Sequence, residues 1–327
     1  MATLQPATSS IIGLVFPGQG SQSVGMGKAL VEAHPNLKSL YDEASSVLGY
    51  DVAALCFEGP AEQLNLTEYT QPALLVSSIA ALHAFQPNNI TPIAVAGHSL
   101  GEYSALVAAG GLPYREAVAI VQKRGRYMAE AVSPGTGLVA ALLGLAAEVV
   151  KEVCREASSV GVVAAANFNS PGQIVIAGEK AAVERAIELA KTKGCRKAIP
   201  LPVSVPVHTS LMQKAADRLA VDLASIAWTD LAMPLVNNAD ARAITKACDI
   251  ETSLVRQLHS SVLWEDSVKA MAALGVTTFV EVGPGAVLSG LIKRILPDAV
   301  TLNVNDPKSL EATLRTLNLK RETSVGL

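Results

Sequence analysis

A short apolar run leads directly into a glycine-flanked serine, and this junction favours folds in which a strand turns sharply into a helix. Residues 93–96 are typical of a buried β-strand, and the pentapeptide GHSLG follows at residues 97–101. A helical pattern then extends over residues 100–109. The pentapeptide matches G-x-S-x-G, the nucleophile elbow, in which a serine stands on a strained strand-to-helix turn. An ordinary tight turn is the alternative, since the glycine spacing alone is weakly specific.

Short β-rich runs alternate with longer helical patterns along the whole chain. Half of the 327 residues are hydrophobic, 17% are charged and 4% are aromatic, which is typical of a compact α/β protein. Such alternation favours a mainly parallel sheet covered by helices, and we expect a large α/β-hydrolase-like domain. Beyond the elbow, strands are predicted at residues 11–16, 234–236, 277–282 and 300–302, and a helix at 115–132.

The segment 133–200 has a different rhythm and is predicted to be a small inserted subdomain. Its order is β-α-β-β-α-β, which is a ferredoxin-like unit. Pro134-Gly135 at one end and the Pro200/Pro202 pair at the other predict hinges. The large catalytic domain would then be discontinuous, comprising residues 1–132 and 201–327. The predicted strands of the insert are 138–143, 162–166, 173–177 and 196–199, and its helices are 146–157 and 179–193.

Charge and cysteine usage exclude several classes of function. The formal net charge of -3 gives no electrostatic case for a nucleic-acid partner. The four cysteines form no CxxC pair, so we expect neither a metal site nor a disulfide framework. The N-terminus lacks a signal-peptide pattern, and the longest apolar stretch, residues 138–147, is too short for a bilayer. We therefore expect a cytoplasmic protein without membrane contact.

The Gly-rich loop after the first predicted strand raises a different possibility, a nucleotide-binding module. Residues 18–23 fail the G-x-G-x-x-G pattern because the last position is Ser23. Residues 20–25 have the glycine spacing of a P-loop, but Met26 stands where lysine is needed. The loop therefore does not favour nucleotide binding.

A nucleophilic serine needs a base, and the chain offers few histidines. His98 is adjacent to Ser99, so their side chains should diverge. His208 follows the proline-rich residues 200–207, which restrict its approach and suit a base held in one orientation. A structural role at a helix start explains His208 equally well. The remaining histidines, which have ordinary surface, packing or helix-end explanations, are His34, His83 and His259.

Read with Glu102 as GHSLGE, the elbow and several further stretches resemble the malonyl-CoA:acyl carrier protein transacylases of fatty-acid synthesis. The resemblance extends from Phe16 to about Leu314, and the order of the matching stretches makes chance a poor explanation. The other stretches are FPGQGSQ at residues 16–22, TQPA at 70–73, KRG at 123–125, NFNSPGQ at 167–173, PVSVPVH at 202–208 and EVGPG at 281–285.

The resemblance implies a set of catalytic roles. Ser99 would be the nucleophile and His208 the general base and acid. The second nitrogen of that histidine would rest on the backbone carbonyl of Gln257 rather than on an aspartate. The backbone amides of Gln19 and Leu100 would form the oxyanion hole, whose donors stabilise the charge of a tetrahedral intermediate.

Arg124 would hold the free carboxylate of malonyl. A planar guanidinium can grip a carboxylate with two parallel hydrogen bonds and stays charged at any working pH. A neutral acyl chain would leave that cation unpaired, so the residue would select malonyl over acetyl. From the residues alone, KRGR at 123–126 is also typical of a solvated basic helix face.

Other residues of these stretches have weaker assignments. The resemblance suggests that Gln71 shapes the pocket and that Asn167 and Asn169 line the cleft, although an Asn-rich turn explains the asparagines almost as well. Glu102 is expected to stabilise the first turn of its helix rather than act in catalysis. Val207 is apolar where some relatives carry a polar or aromatic residue, which makes strict malonyl selectivity less certain.

The resemblance implies a ping-pong transfer of malonyl from coenzyme A through a seryl ester to the phosphopantetheine thiol of acyl carrier protein. It implies no metal or redox cofactor, and we expect a monomer. A serine esterase or thioesterase and a free-standing polyketide acyltransferase are the rival functions. A basic patch would suit the acidic carrier protein. The candidates for it, for which a plain solvated surface is the alternative, are Lys191, Lys193, Arg196 and Lys197.

Overall fold

The fold is taken from a computed structural model, which describes residues 10–86, 90–133, 135–201 and 205–325. Two of the predicted hinge residues, Pro134 and Pro202, lie outside these ranges. The strands are β1 Ile12–Phe16, β2 Ala94–Gly97, β3 Gly137–Leu143, β4 Val163–Ser170, β5 Gln173–Glu179, β6 Lys197–Pro200, β7 Leu235–Val236, β8 Ala243–Ile244, β9 Thr278–Val282 and β10 Val300–Val304.

Helices connect most of these strands. Short 3-10 turns at Pro35–Leu37, Ser158–Val160 and Ser210–Met212 adjoin them. The helices are α1 Lys28–Ala33, α2 Lys38–Leu48, α3 Val52–Glu58, α4 Ala61–Leu64, α5 Thr67–Phe85, α6 Gly101–Ala108, α7 Tyr114–Glu130, α8 Ala147–Ala157, α9 Lys180–Thr192, α10 Gln213–Leu223, α11 Ala247–His259, α12 Trp264–Ala273, α13 Val287–Ile295 and α14 Pro307–Val325.

The described strands form a larger and a smaller sheet. The large sheet has the order β10-β9-β1-β2-β7-β8, and every neighbouring pair is parallel except β7 and β8. Phe16 pairs with Gly97, so the carboxyl ends of β1 and β2 lie side by side. The predicted α/β fold with a mainly parallel sheet is confirmed, with strand limits within two residues of the prediction.

Both faces of the large sheet are buried, as parallel sheets require. Side chains alternate between the faces of a strand. Leu14 and Phe16 of β1 pack into the cluster that includes α5 and α7, whereas Val15 packs against Trp264 and Phe279 on the other face. The sheet thus lies between two apolar layers.

The small sheet has the order β4-β5-β3-β6, and its pairs are antiparallel. The element order over this segment is the predicted β-α-β-β-α-β. One face of the sheet packs on α8 and α9, with Val150 and Val183 in that core. The opposite face carries Val139 and Val175, which also line a cavity beside Ser99. The small sheet therefore forms one wall of the site described below.

In the described ranges, none of the helices is both long enough and apolar enough to cross a membrane.

Candidate active site

Ser99 stands on a strained turn between β2 and α6. Its φ of 51° lies in the left-handed region, which non-glycine residues seldom adopt. The flanking glycines allow this turn, because a Cβ on Gly97 would lie 1.9 Å from the backbone of Gly101. A Cβ on Gly101 would lie 2.1 Å from the carbonyl oxygen of Phe16. The serine is therefore held on a true strand-to-helix elbow and not on an ordinary tight turn.

His208 lies against this serine. Its Nε2 is 2.8 Å from Oγ of Ser99, and its Nδ1 is 2.9 Å from the carbonyl oxygen of Gln257. Since a carbonyl only accepts, Nδ1 carries the hydrogen and Nε2 is free to accept the serine proton. Burial, followed by the nearby charge of Arg124, lowers the pKa of His208 to about 3. The imidazole is thus neutral and positioned as a base.

Arg124 points into the protein from α7 and is 1% exposed. Its Nη2 lies 3.1 Å from Oγ of Ser99 and 3.0 Å from Oε1 of Gln257, and its Nη1 lies 2.7 Å from Oε1 of Gln71. Its neighbours on the helix, Lys123 and Arg126, have side chains that are 42% and 51% exposed. The solvated basic face is therefore real, but Arg124 lies on the opposite, buried face.

The guanidinium of Arg124 has no acidic side chain in salt-bridge contact among the described residues. Among the described residues it forms no ion pair, and its Nε has no hydrogen-bond partner. Burial lowers the pKa of Arg124, with Tyr103 and Glu102 acting in the opposite direction. The Cζ of Arg124 lies 5.6 Å from the ring centroid of Tyr103, and its hydrogen bonds go to neutral oxygens. Such a buried cation can bind an incoming carboxylate strongly, because that anion would supply the missing charge.

Gln71 connects this cation to the loop that follows β1. Its Oε1 accepts from Arg124, while its Nε2 donates to Oγ1 of Thr67 at 2.9 Å. The hydroxyl of Thr67 donates in turn to Oε1 of Gln19 at 2.9 Å. The arginine, the pocket wall and the first loop therefore share one hydrogen-bond chain.

A cavity of about 90 Å³ opens beside Ser99 and His208. Gln19 and Leu100 border it, and their backbone N–H groups have no acceptor among the residues that the structure describes. The predicted pocket residue Asn167 also lines the cavity, whereas Gln71 lies behind Arg124. The remaining residues that line the cavity are His98, Arg124, Met128, Val139, Val175, Leu201 and Val207.

Comparison with known proteins identifies the family. Residues 14–326 match the acyl transferase domain. The malonyl CoA-acyl carrier protein transacylase of Bacillus subtilis (strain 168) is 48% identical over 316 residues, which cover 96% of this chain and all of the relative. The chain belongs to the malonyl CoA-acyl carrier protein transacylases. The resemblance seen in the sequence is confirmed.

Solved structures of similar proteins agree with this fold. An acyl carrier protein S-malonyltransferase from Vibrio cholerae has a TM-score of 0.91 at 48% identity, covering 93% of this chain and 100% of that one. A malonyl-transacylase in complex with its type II polyketide synthase acyl-carrier protein has a TM-score of 0.92 at 46% identity, covering 94% and 100%.

Asn238 is a residue of this transacylase site that the sequence reasoning missed. It lies two residues beyond the end of β7 and is fully buried. Its Oδ1 accepts from the amide of Ser99 at 2.6 Å, and its Nδ2 donates to the carbonyl of Gly97 at 2.7 Å. Both sides of the elbow are thus tied to the neighbouring strand. The signal available in the sequence was a pair of asparagines immediately after a predicted strand.

Glu102 lies in the first turn of α6, as expected, but its carboxylate also contacts residues of other elements. The carboxylate is fully buried, and its Oε2 accepts from the amide of Asn238 at 2.9 Å and from Nε2 of Gln257 at 3.0 Å. Burial raises its pKa to about 7, and the two hydrogen bonds and Arg124 oppose that rise. The transacylase therefore uses this glutamate inside the site network.

The asparagines before Pro171 lie on β4 and not in a turn. Asn169 Oδ1 is 2.8 Å from Nε2 of His98, so that imidazole is hydrogen-bonded to β4. The turn itself comprises Pro171 and Gly172. In the described part of the chain, no cluster of three or more His, Cys, Asp or Glu residues could hold a metal ion.

Proposed function

We propose that this chain transfers malonyl from malonyl-CoA to the phosphopantetheine thiol of acyl carrier protein, for fatty-acid synthesis. The observation that carries the proposal is Arg124, a buried cation without an ion-pair partner among the described residues, 3.1 Å from the elbow serine. A carboxylate on the acyl group would complete this site. The names of the similar proteins support the same substrate and acceptor.

In the first half-reaction, Nε2 of His208 takes the proton of Ser99 as Oγ attacks the thioester carbonyl. The 2.8 Å separation already provides the hydrogen bond along which that proton moves. The tetrahedral oxyanion would accept from the amides of Gln19 and Leu100. Collapse breaks the C–S bond, and the protonated imidazole returns its proton to the departing thiolate of coenzyme A.

Arg124 changes partners during this step. Once Oγ of Ser99 becomes an ester oxygen, it is a weaker acceptor, and Nη2 is released toward the malonyl carboxylate. Nε, which has no partner in the described part of the chain, provides a second donor on the same planar group. Two donors on one plane suit bidentate binding, which an acetyl group cannot offer.

In the second half-reaction, His208 takes the proton of the carrier thiol, whose sulfur attacks the malonyl ester. The oxyanion forms in the same place, and Ser99 regains its proton from the imidazole as the ester bond breaks. Each step uses only the two substrates and groups of the chain, so no cofactor is required. We also propose that the protein works in the cytoplasm and as a monomer.

We also propose a division into two domains. Residues 1–132 and 201–327 would form an α/β-hydrolase-like catalytic domain, and residues 133–200 a ferredoxin-like subdomain. The strand order β4-β5-β3-β6 and the two helices on one face support the second assignment. Both substrates would then enter between the elbow and the face of the small sheet that carries Val139 and Val175.

Intact-mass spectrometry after brief exposure to malonyl-CoA tests the proposal. We expect a malonyl adduct on the wild type, none on Ser99→Ala, and a much reduced adduct on Arg124→Ala. Arg126→Ala is the matched control, since its side chain is on the same helix but exposed, and it should label normally. Release of free coenzyme A without an adduct would instead support a hydrolase.

A polyketide pathway is the second candidate, because one similar structure is a malonyl-transacylase bound to a polyketide carrier protein. The two pathways share the chemistry and differ in the second substrate. Rates of malonyl transfer to a fatty-acid carrier and to a type II polyketide carrier, measured with the same malonyl-enzyme, distinguish them. A clear preference for the polyketide carrier would reject our assignment to fatty-acid synthesis.

A further inference from the structure

Glu102 is a buried carboxylate next to the site, but it does not line the cavity beside Ser99. Its Oε2 accepts two hydrogen bonds, from the amide of Asn238 and from Nε2 of Gln257. Its Oε1 has no partner in the described ranges. Burial of a carboxylate is unfavourable unless hydrogen bonds compensate for it. The proposed mechanism gives Glu102 no step, so the contacts of its carboxylate must explain why it is there.

Glu102 holds the side-chain amide of Gln257. Nε2 of Gln257 donates to Oε2 of Glu102 and to the carbonyl oxygen of Ser99, each at 3.0 Å. Oε1 of the same amide accepts from Nη2 of Arg124 at 3.0 Å. Reversing the amide would set an oxygen against two acceptors and an NH₂ group against a cation. Glu102, together with the carbonyl of Ser99 and the cation, thus favours one orientation of Gln257, and Glu102 is the charged acceptor among them.

That orientation determines how Arg124 is held. The guanidinium rests on the oxygens of Gln71, Gln257 and Ser99, and a reversed amide would replace one acceptor with a donor. Since Arg124 has no ion pair among the described residues, these oxygens and the ring of Tyr103, 5.6 Å from Cζ, hold it in position. Losing one would let the cation move away from the place where an acyl carboxylate arrives.

We propose that Glu102 is a positioning residue for acyl selection: it holds the Gln257 amide with its oxygen toward Arg124, and so keeps the guanidinium aimed at the acyl carboxylate. This inference rests on the proposed role of Arg124. It assigns to the last residue of GHSLGE a role in choosing carboxylate-bearing acyl groups, and not only in shaping the elbow.

A merely structural role of Glu102 makes a different prediction. Loss of folded or active protein lowers turnover of every acyl-CoA by the same factor, whereas displacement of Arg124 lowers the preference for malonyl over acetyl. The decisive quantity is therefore the ratio of kcat/KM for malonyl-CoA to that for acetyl-CoA. This ratio is independent of the fraction of active enzyme.

The glutamate variants test the geometry. Glu102→Gln keeps an acceptor oxygen for the amide of Asn238 and for Nε2 of Gln257, so we expect a ratio within about threefold of wild type. Glu102→Ala removes the acceptor, and the ratio should fall at least tenfold. Glu281→Gln is the matched control, because Glu281 is equally buried but accepts from the amides of Leu288 and Ser289 at the start of α13. Its ratio should not change.

Gln257→Met keeps the backbone carbonyl under His208 and removes the amide, so it serves if Glu102→Ala fails to fold. We expect the same tenfold loss of preference. A ratio within twofold of wild type in Glu102→Ala or in Gln257→Met overturns the inference, as does an equal loss in Glu102→Gln and Glu102→Ala. If Arg124→Ala itself keeps the preference, the proposed role of Arg124 fails as well.

Discussion

Arg124 donates a hydrogen bond from Nη2 to Oγ of Ser99 across 3.1 Å, so a buried cation touches the proposed nucleophile. The hydroxyl has a single hydrogen, and with Arg124 on one side that hydrogen is directed to Nε2 of His208. The same charge discourages a proton on the imidazole. Arg124 thus orients the serine proton and, together with burial, keeps the imidazole neutral, and we propose that it also binds the acyl carboxylate.

The first prediction concerns the pH dependence of acylation. Burial, followed by the charge of Arg124, lowers the pKa of His208 to about 3, so the base stays unprotonated well below neutral pH. We expect the rate of malonyl-serine formation, followed by quenched-flow mass spectrometry, to show no acid limb with an apparent pKa near 6.5. In Arg124→Ala, assayed with acetyl-CoA, the acid limb should move upward, whereas Arg126→Ala should leave it in place.

The second prediction concerns stability, where two buried groups act in opposite directions. The pKa of His208 falls from 6.5 to about 3 on folding, so the unfolded chain binds more protons in that window and the free energy of unfolding drops as pH decreases. The pKa of Glu102 rises from 4.5 to about 7, so the native state binds more protons there and stability drops as pH increases.

Urea unfolding between pH 4 and pH 8 checks both signs, provided that slopes and not offsets are compared. Relative to wild type, His208→Gln should become more stable as pH falls, and Glu102→Gln should become more stable as pH rises. A difference from wild type that is constant with pH for either variant would show that the group does not titrate as its surroundings imply.

The elbow and the parallel sheet were predictable because their signals are local. The strand ending at Gly97 and the helix that begins at Gly101 are read from adjacent residues, and burial of both sheet faces makes the β1 run continuously apolar. The contact between Ser99 and His208 joins residues 109 positions apart, and no local pattern specifies it. From the residues alone, the base and the burial of Arg124 stayed open.

Glu102 shows why the contacts of some site residues cannot be predicted from the sequence. An acidic residue in the first turn of a helix normally complements the helix dipole, and Glu102 occupies such a position in α6. Its carboxylate instead turns inward, because α11 places Gln257 and β7 places Asn238 beside it. Only tertiary packing, which brings these three elements together, distinguishes the two roles.

The third prediction tests the elbow glycine. In Gly101→Ala the new Cβ would lie 2.1 Å from the carbonyl oxygen of Phe16, so backbone must move and stability should fall by about 1–3 kcal/mol or more. Gly290 in α13 is the control, since a Cβ there meets no atom within 4 Å. Gly290→Ala should stabilise by up to about 1 kcal/mol. Equal effects of the two substitutions on thermal unfolding would contradict the close approach.

The fourth prediction concerns Asn238, which ties both sides of the elbow to β7. Asn238→Ala removes the bonds to Ser99 and Gly97, and the strained serine should lose its fixed position. A loss of about 1–2 kcal/mol predicts an acylation rate lower by roughly 5- to 30-fold. The adjacent Asn237 is also buried but bonds to Ser253 and Asp240, so Asn237→Ala should acylate near the wild-type rate. Similar losses in both would point to general disruption.

The last prediction concerns the surface on which the carrier protein docks. Of the expected basic residues, Lys193 is already paired with two glutamates, Glu152 and Glu156. Arg196 and Lys197 instead line a cavity of about 400 Å³ together with Arg294.

This basic cavity is connected to the active site by the small sheet. Leu143 borders the basic cavity and Val139 borders the serine cavity. These two residues are four positions apart on β3, which corresponds to about 13 Å along the strand. An acidic carrier docked at this edge could extend its thiol arm along the sheet toward Ser99. Lys197→Glu should therefore raise KM for the carrier roughly fivefold or more, and the effect should weaken as salt is added. Lys214, exposed on α10 and lining neither cavity, provides the control charge reversal. Transfer kinetics starting from the isolated malonyl-enzyme measure this step alone, and an unchanged KM in Lys197→Glu would place the carrier on another surface.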